Sequence, residues 1–255
     1  VARLAPPARP AIRAGGRYLI LGGHGGLGLE VAARFAQEGA GLVALVSRSG
    51  GADVDRQRLA RIESYGCEVV SFSADVAAPG AVAAVVDRIR AEHGELHGVV
   101  HAAGTLKDGL IRGLSAADVD TVLRPKVDGV HELAGAVAGA PLDFAVLFAS
   151  VSGAFGNLGQ AGYAAANAYL DGFAHARKDP WISVDWGLWA EVGMGTAVAD
   201  QLRRRGVRPL STQEALDALM LVLAGDARQL VVAHPDANDS LATDADAGVT
   251  TGADD

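Results

Sequence analysis

Short apolar runs alternate with amphipathic segments along most of the chain. The runs have the length and the Val, Ile and Leu content of buried strands, and the segments between them repeat apolar residues at helical spacing. This order predicts an α/β protein with a doubly wound, parallel sheet of about seven strands and helices on both faces. The predicted strands are Tyr18–Leu21, Leu42–Val46, Glu68–Phe72, Gly98–His101, Phe144–Phe148, Ile182–Trp186 and Leu230–Ala233. The predicted helices lie around Leu27–Glu38, Arg56–Tyr65, Ala81–His93, Ala116–Val137, Gln160–Ala176 and Thr212–Ala224.

Both ends of the chain and one internal segment depart from this alternation. Residues 1–15 are rich in proline, alanine and arginine, which predicts a linker, and residues 236–255 have the composition of a disordered acidic tail. One catalytic domain is therefore expected over residues 16–235. Residues 190–210 follow the sixth strand without a regular pattern, and so long an insertion favours a lid or binding loop. A solvated surface helix with a basic face is the alternative.

Composition narrows the classes of function. Half of the 255 residues are hydrophobic and only 5% are aromatic, so the core is expected to consist of Ala, Val and Leu. The net charge of −8 argues against nucleic acid as the main partner. The single cysteine, Cys67, excludes a disulfide framework and a cysteine-based metal site, and no metal is expected. The sequence has neither a membrane-length apolar run of about 20 residues nor a signal-peptide pattern, so we expect a cytoplasmic protein without a membrane partner.

The first predicted strand leads into a glycine-rich turn, Leu21-Gly22-Gly23-His24-Gly25-Gly26-Leu27-Gly28, and then into a helix. Glycines at such positions allow a tight turn, close approach of the backbone to a pyrophosphate, and close packing of helix on strand. The start of the helix adds free N–H groups and the positive end of its dipole. In this strand–turn–helix context, the pattern predicts a Rossmann fold in which residues 22–28 contact a dinucleotide.

The ends of the next strands indicate which dinucleotide it is. The second strand ends at Ser47 and Arg48 and lacks the acid that would hold the ribose 2′-hydroxyl of NAD. Arg48 suits a 2′-phosphate, which favours NADPH over NADH, although a merely solvent-exposed arginine is the alternative. Asp75 and Val76 are expected at the adenine edge. The small residues of His101-Ala102-Ala103-Gly104 leave room for the ribose and nicotinamide, and His101 has no predicted catalytic role.

A serine and a tyrosine are predicted to face one cleft. Ser150 follows the fifth predicted strand, and Tyr163 lies near the start of the next helix. The Ser150 hydroxyl could hold a carbonyl oxygen to which the Tyr163 phenol donates a proton. A phenol with its ordinary pKa near 10 is a poor acid unless a cation and hydrogen bonds tune it, and Lys126 could be this cation. Purely structural roles for Ser150 and Tyr163 are the alternative.

With these features in place, the chain resembles the short-chain dehydrogenase/reductase superfamily. The glycine turn matches the superfamily spacing, although Leu21 replaces the usual threonine. That superfamily generally has a lysine four residues after the tyrosine, whereas here this residue is Asn167 and the lysine is Lys126. The exchange resembles the ketoreductase domains of modular (type I) polyketide synthases and animal-type fatty acid synthases. Further similar stretches are Gly98–Gly104, Tyr163–Asp171 and Val184–Trp189.

The resemblance implies a reaction. NADPH would deliver hydride to the β-carbon of a 3-oxoacyl thioester on an acyl carrier protein, giving a 3-hydroxyacyl thioester. Tyr163 would donate the proton, and Ser150 would hold the carbonyl oxygen where negative charge develops. Lys126 would lower the pKa of the phenol and contact the nicotinamide ribose, and Asn167 would complete a proton relay. The implied partners are the acyl carrier protein, a structural subdomain absent before residue 15, and neighbouring polyketide synthase domains.

The resemblance also bears on stereochemistry and substrate contacts. Leu106-Lys107-Asp108 keeps only the last acid of a Leu-Asp-Asp motif, and Phe155 stands where the opposite type has tryptophan. These two features favour the B-type, which gives a D-hydroxyl, although Asp108 could equally cap the next helix. The insertion after Trp189 resembles a lid over the pantetheine arm. The expected substrate contacts are Asp108, Phe155, Leu158, Gln160, Trp189 and Met194.

Two other functions are alternatives to an active ketoreductase domain. One is a catalytically silent or epimerase-only domain that keeps the fold and the cofactor. Such domains usually lose a member of the catalytic tetrad, and all four residues are present here. The other is a free-standing short-chain alcohol dehydrogenase, which the positions of Lys126 and Asn167 disfavour.

Overall fold

The computed structural model describes residues 10–177, 180–194 and 208–234. In these ranges, the apolar runs form a seven-stranded parallel sheet of order β3-β2-β1-β4-β5-β6-β7. The order reverses between β1 and β4, as in doubly wound folds, so the predicted architecture is confirmed. The strands are β1 (Arg17–Leu21), β2 (Leu42–Ser47), β3 (Glu68–Ser73), β4 (Gly98–His101), β5 (Phe144–Ser150), β6 (Trp181–Trp186) and β7 (Gln229–Val232).

Helices cover both faces of the sheet. The helices are α1 (Gly26–Gln37), α2 (Arg56–Glu63), α3 (Ala81–His93), α4 (Ala116–Ala136), α5 (Val151–Phe155), α6 (Ala161–Ala176) and α7 (Thr212–Ala224), with a 3₁₀ turn at Ile111–Gly113. One hydrophobic cluster contains the buried faces of α1, α2 and α7, and the other contains those of α3, α4 and α6. Neither α5 nor the 3₁₀ turn is predicted from the sequence, because segments this short carry no helical periodicity.

The central strands are continuous apolar runs because the sheet is covered on both sides. Every residue of β4, β5 and β6 is buried. At the amino-terminal end of the sheet, the ring of Tyr18 stacks on Phe144 with centroids 5.7 Å apart and meets Phe35 edge-on at 5.1 Å. Since aromatics are few, this trio and the aliphatic strands form a rigid base, and the polar side chains collect at the carboxyl ends of the strands.

Residues 10–15 pack on the domain. Ile12 is only 3% exposed and belongs to the core, while Arg13 forms an ion pair with Asp143 at 2.6 Å. The rest of the predicted linker, residues 1–9, and the predicted tail, residues 236–255, lie outside the described residues. The boundaries of the linker and tail therefore stay predictions.

The predicted lid is described only at its two ends. Trp189 and Leu210 form an isolated parallel bridge, and Ala190 N donates to Leu210 O at 2.7 Å, so the insertion starts and ends at adjacent points. Residues 195–207, which make up most of it, lie outside the described ranges. Across the part of the chain that is described, no helix combines the length and apolar character needed to cross a membrane.

Candidate active site

The glycine turn between β1 and α1 packs so closely against neighbouring backbone that a side chain on Gly22 or Gly28 would clash. Gly22 has a φ of +80°, and a Cβ on it would lie 2.7 Å from Ala103 N. A Cβ on Gly28 would lie 2.5 Å from Gly22 O. The amides of Gly22 and Gly23 both donate to Val46 O, at 2.8 and 3.1 Å. The turn is thereby fixed to the ends of the neighbouring strands β2 and β4.

A cleft of about 410 Å³ lies at these strand ends. It brings together the predicted glycine turn, the end of β2, the segment after β3 and the small residues after β4. Its lining comprises Gly22, Gly25, Gly26, Leu27, Gly28, Ser47, Arg48, Ala74, Asp75, Val76, Ala77, Ala102, Ala103, Gly104, Arg124, Pro125, Gly193 and Met194.

Five of these lining residues are not predicted from the sequence: Ala74, Ala77, Arg124, Pro125 and Gly193. Two of them carry a signal that could have identified them, because Arg124 and Pro125 directly precede Lys126 in the chain. The alanines and Gly193 are small residues in loops, and no local pattern distinguishes them from other loop positions.

Five predicted cofactor residues do not line the cleft: Gly23, His24, His101, Lys126 and Tyr163. His101 is fully buried, and burial together with the charge of Lys126 lowers its pKa to about 3, so it is neutral. The structure thus places the His101 side chain in the core, and its contact with the cofactor stays a prediction. Gly23 is buried as well, and His24 bonds Ser47 Oγ at 2.8 Å and, through its other ring nitrogen, a serine of β3. For Gly23 and His24, contact with the cofactor stays a prediction.

The outer end of the cleft carries the charge expected for a dinucleotide site. Arg48 is exposed at the end of β2, and its backbone carbonyl accepts a hydrogen bond from Ser73 Oγ at 2.7 Å. The Asp75 carboxylate accepts from the amide of Ala77 at 3.0 Å, which fixes the turn after β3. With the glycines that leave no room for a Cβ and the free N–H groups at the start of α1, these residues fit a nicotinamide dinucleotide.

Tyr163 lies on the first turn of α6, and Ser150 is the last residue of β5. Ser150 is 9% exposed, and its Oγ accepts from Ser152 N at 3.2 Å. Burial raises the pKa of the Tyr163 phenol, and hydrogen bonds with Ser150 and Asn167 partly offset this effect. Asn167, one turn further along α6, also donates from Nδ2 to the Tyr163 carbonyl at 2.7 Å. The structure thus brings these three predicted residues together.

Lys126 projects from α4 to the edge of the cleft. Only 4% of it is exposed, and Nζ donates to Phe148 O at 2.8 Å. A Cβ on Gly104 would lie 3.2 Å from Lys126 Cε, so a glycine leaves the lysine room to pass. Burial lowers the pKa of Lys126 to about 8, against the opposing effect of two aspartates, Asp171 and Asp185.

The expected lowering of the Tyr163 pKa by Lys126 stays a prediction. The net direction at Tyr163 is upward, because burial outweighs its hydrogen bonds. The ammonium of Lys126 instead donates to the backbone of β5. A phenol with a raised pKa stays protonated at neutral pH, which suits a proton donor.

The predicted substrate residues lie in three different settings. Gln160 donates to Asp108 at 3.0 Å and accepts from Ser152 at 3.2 Å, while Phe155 and Leu158 are 50% and 82% exposed. Trp189, by contrast, is 3% exposed and packs edge-on against Trp186 at 5.2 Å. The structure therefore places the Trp189 side chain in the core, and its contact with the substrate stays a prediction. Met194 lines the cofactor cleft.

A doubly wound sheet with a glycine turn at its switch point defines a Rossmann-fold, nucleotide-binding protein, here with the short-chain dehydrogenase/reductase fold. A family model described as the KR domain matches residues 16–191. The chain belongs to this ketoreductase domain family, which supports an oxidoreductase that uses a nicotinamide cofactor.

The chain is similar to parts of modular polyketide synthases. It is 43% identical over 266 residues to polyketide synthase GfsB of Streptomyces halstedii, covering 98% of this chain and 5% of the relative. It is 34% identical over 236 residues to polyketide synthase PksN of Bacillus subtilis, covering 87% of this chain and 4% of the relative. The chain thus spans a small fraction of the curated relatives that it matches.

Solved ketoreductases share the fold. A structure of A-type ketoreductases from a modular polyketide synthase is 36% identical, with a TM-score of 0.85, and the match covers 91% of this chain and 50% of that chain. The first ketoreductase of the tylosin polyketide synthase is 34% identical, with a TM-score of 0.80, covering 94% of this chain and 58% of that chain.

The close contacts of the glycine turn lead to a first prediction. Gly28→Ala should weaken dinucleotide binding and lower the free energy of unfolding by about 1–3 kcal/mol, since its Cβ would overlap Gly22 O. Fluorescence titration with NADPH and chemical denaturation measure the two effects. The control is Gly113→Ala, where a Cβ would meet no heavy atom within 4 Å. Equal behaviour of the two variants would contradict the role of the turn.

Proposed function

We propose that this chain reduces the 3-oxo group of an acyl-carrier-protein-bound polyketide to a 3-hydroxyacyl thioester, with NADPH as reductant. The observation that carries the proposal is the position of the Tyr163 phenol, which interacts with Ser150, while Lys126 passes Gly104 at the edge of the dinucleotide cleft. Three elements, α4, β5 and α6, contribute these side chains. A silent domain needs no such grouping, so the retained tetrad favours catalysis.

Each side chain has a role that its surroundings support. Bound NADPH would supply the hydride that reaches the β-carbon. Ser150 donates a hydrogen bond to the carbonyl oxygen, where negative charge develops, and Tyr163 Oη transfers its proton to that oxygen. Burial keeps the phenol protonated until then, because it raises the pKa of Tyr163. The Tyr163 oxygen regains a proton afterwards through the polar region around Lys126 and Asn167.

The proposed preference for NADPH over NADH rests on the positively charged residues at the outer end of the cleft. Arg48 is exposed beside Ser47, and both line the cleft at the end of β2. A guanidinium at this position can bind the 2′-phosphate through charge-assisted hydrogen bonds, which the 2′-hydroxyl of NADH cannot match. Arg124 on α4 also lines the cleft and adds positive charge for an anionic cofactor.

The acyl carrier protein is the proposed carrier of the substrate. Phe155 and Leu158 lie between Ser150 and Tyr163 in the chain and present exposed apolar surface, close to the hydrogen-bonded pair of Gln160 and Asp108. An acyl chain and a pantetheine arm suit such a surface, which is apolar with a few polar groups. The curated relatives are polyketide synthases of far greater length, so a structural subdomain and neighbouring synthase domains are proposed as further partners.

The proposed alcohol configuration is D, the B-type outcome. Asp108 is held by Gln160, whose own carbonyl accepts from Ser152 and Asn157. This arrangement links an acid on the loop after β4 to the segment that follows the catalytic serine. Phe155 is half exposed at the position where the opposite type has tryptophan.

Tyr163→Phe tests the reaction. Removing the phenolic hydroxyl should lower kcat for a 3-oxoacyl thioester by about 10²–10⁴-fold, as expected for loss of a general acid, while NADPH binding stays unchanged. Loss of NADPH absorbance measures turnover, and fluorescence titration measures binding. Tyr169→Phe on the same helix is the matched control, because that hydroxyl bonds His131 and not Ser150 or Asn167. Full turnover by Tyr163→Phe would exclude the phenol as proton donor.

Arg48→Ala tests the cofactor. Loss of a charge-assisted contact should raise KM for NADPH by a factor equivalent to roughly 1.5–3 kcal/mol and leave KM for NADH nearly unchanged. Steady-state kinetics with both cofactors gives the two ratios. Arg88→Ala, at an exposed arginine on α3, is the control. An equal response of the two cofactors would mean that Arg48 does not bind a 2′-phosphate.

The product configuration tests the assignment of type. Reduction of a 2-methyl-3-oxo thioester is expected to give the D-hydroxyl product, because Asp108 is retained and tryptophan is absent at residue 155. Chiral chromatography of the released acid measures the outcome. An L-hydroxyl product would place this chain with the A-type ketoreductases, to which it is also structurally similar.

A further inference from the structure

Two buried aspartates lie near Lys126 and do not line the cleft. Asp185 on β6 pairs in register with Ala149, the residue after Phe148, whose carbonyl accepts from the ammonium of Lys126. Asp171 on α6 is 8% exposed, and Asp185 on β6 is fully buried. Asp171 Oδ1 accepts from Ser183 Oγ at 2.6 Å, and Asp185 Oδ2 accepts from Gln229 Nε2 at 2.8 Å. Neither aspartate is used in the reaction proposed above. Buried carboxylates are costly to retain without a cation, so the pair requires an explanation.

The two carboxyl groups interact with each other. Each influences the titration of the other, and Asp185 Oδ1 is buried with no hydrogen-bond partner in the described ranges. A hydrogen bond between two carboxyl groups requires a proton on one of them. Burial and the neighbouring Asp171 raise the pKa of Asp185 to about 6, and burial also raises the pKa of Asp171. Asp185 therefore loses its proton as the pH rises through about 6, and the pair gains negative charge there.

Lys126 is the cation that this charge faces. The ionisable groups around its ammonium, within the described part of the chain, are His101 from β4, Asp171 from α6 and Asp185 from β6. His101 is neutral at working pH because its pKa is lowered to about 3. The Phe148 carbonyl supplies a dipole but no charge. The aspartates are thus the groups here that can offset the cost of burying an ammonium.

We propose that Asp171 and Asp185 are positioning residues for the reduction, a buried counter-charge that holds Lys126 in its ammonium form at the edge of the cleft. The catalytic meaning of this inference rests on the proposed function, whereas the effect on the charge of Lys126 does not. The geometry follows from α6, where Tyr163, Asn167 and Asp171 are spaced four residues apart and share one helix face. The same face therefore carries the proton donor and part of the counter-charge of the lysine.

The pair is held by neighbouring elements as well. Gln229 on β7 bonds His175 through Oε1 at 2.8 Å, and this orients its Nε2 towards Asp185. Ser183 on β6 fixes Asp171. The carboxyl groups therefore have little freedom to turn away from Lys126, as an electrostatic counter-charge requires.

The direct test is a titration of Lys126. The chain contains three lysines, Lys107, Lys126 and Lys178, so protein labelled with [ε-¹³C]lysine should give three resolvable signals. Lys126→Met assigns the signal by its loss. The wild-type midpoint is expected near pH 8, at a pKa of about 8. In Asp171→Asn/Asp185→Asn, it should fall by about one pH unit or more, since the neutral amine is then favoured.

Two further variants keep the test decisive. Asp128→Asn removes an exposed carboxylate on α4 two residues from Lys126 and should leave the midpoint unchanged. Asp185→Asn alone preserves the side-chain shape and the negative charge of Asp171. It should lower the midpoint of the Lys126 titration by less than the double variant does. If the double variant does not fold, this single variant is the test of the counter-charge. An unchanged midpoint in the folded Asp185 and double variants would overturn the counter-charge.

A second readout separates this inference from the proposed function. Reduction that needs a charged Lys126 is lost as the pH rises through its pKa, so the basic limb of the kcat profile should move to lower pH in Asp185→Asn. A shifted lysine titration in a chain that reduces no thioester would reject the proposed function and keep the counter-charge. A normal kcat profile together with an unshifted titration would reject the counter-charge alone.

Discussion

The burial of the Lys126 ammonium is the constraint on which the site depends. A charged amine with 4% exposure is stable only where its hydrogen bonds and counter-charges are supplied by the fold. Here, the Phe148 carbonyl on β5 accepts the hydrogen bond, and aspartates on α6 and β6 provide the counter-charge. The lysine itself comes from α4. Four elements must therefore be in register before the ammonium can be accommodated, which makes the arrangement of the site a consequence of the arrangement of the sheet.

The sheet meets this requirement through its strand order. Because β4 lies between β1 and β5, the end of β4 has the glycine turn on one side and Ser150 on the other. Gly104 follows β4 and leaves room for Lys126 to pass, and Gly22 approaches Ala103 more closely than a Cβ would allow. Gly104 thus lines the dinucleotide cleft and also borders Lys126.

The sequence predicts the sheet and most of the cleft because their signals are local. The strands are continuous apolar runs, and the glycine turn is a contiguous motif, so neither depends on knowing which distant residues meet. His101 and Trp189 adjoin motif residues, which suggests a cofactor and a substrate contact, yet the structure buries both side chains. Along a strand, neighbouring side chains point to opposite faces, so adjacency in sequence does not establish access to a cleft.

The pairing of Asp171 with Asp185, by contrast, could not be predicted from the sequence. Each lies within a stretch that the family resemblance makes visible, yet their pairing depends on the packing of α6 against β6 and has no local signature. The packing of α4 beside α6 likewise explains how Lys126 and Asn167 reach one site from different helices. Both helices contribute to one hydrophobic cluster on the same face of the sheet, so a long side chain from α4 reaches the backbone at the end of β5.

Asn167, being neutral and short, stays on α6 and bonds back to the Tyr163 carbonyl at 2.7 Å. Asp171 lies one turn further along α6, while the lysine comes from α4. The ammonium and its counter-charge are then held by different elements, which can separate only if the core between them opens. The charge state of the lysine therefore reports on the integrity of the packing between α4, α6 and β6, and the chemistry of the site is tied to the same contacts that stabilise the fold.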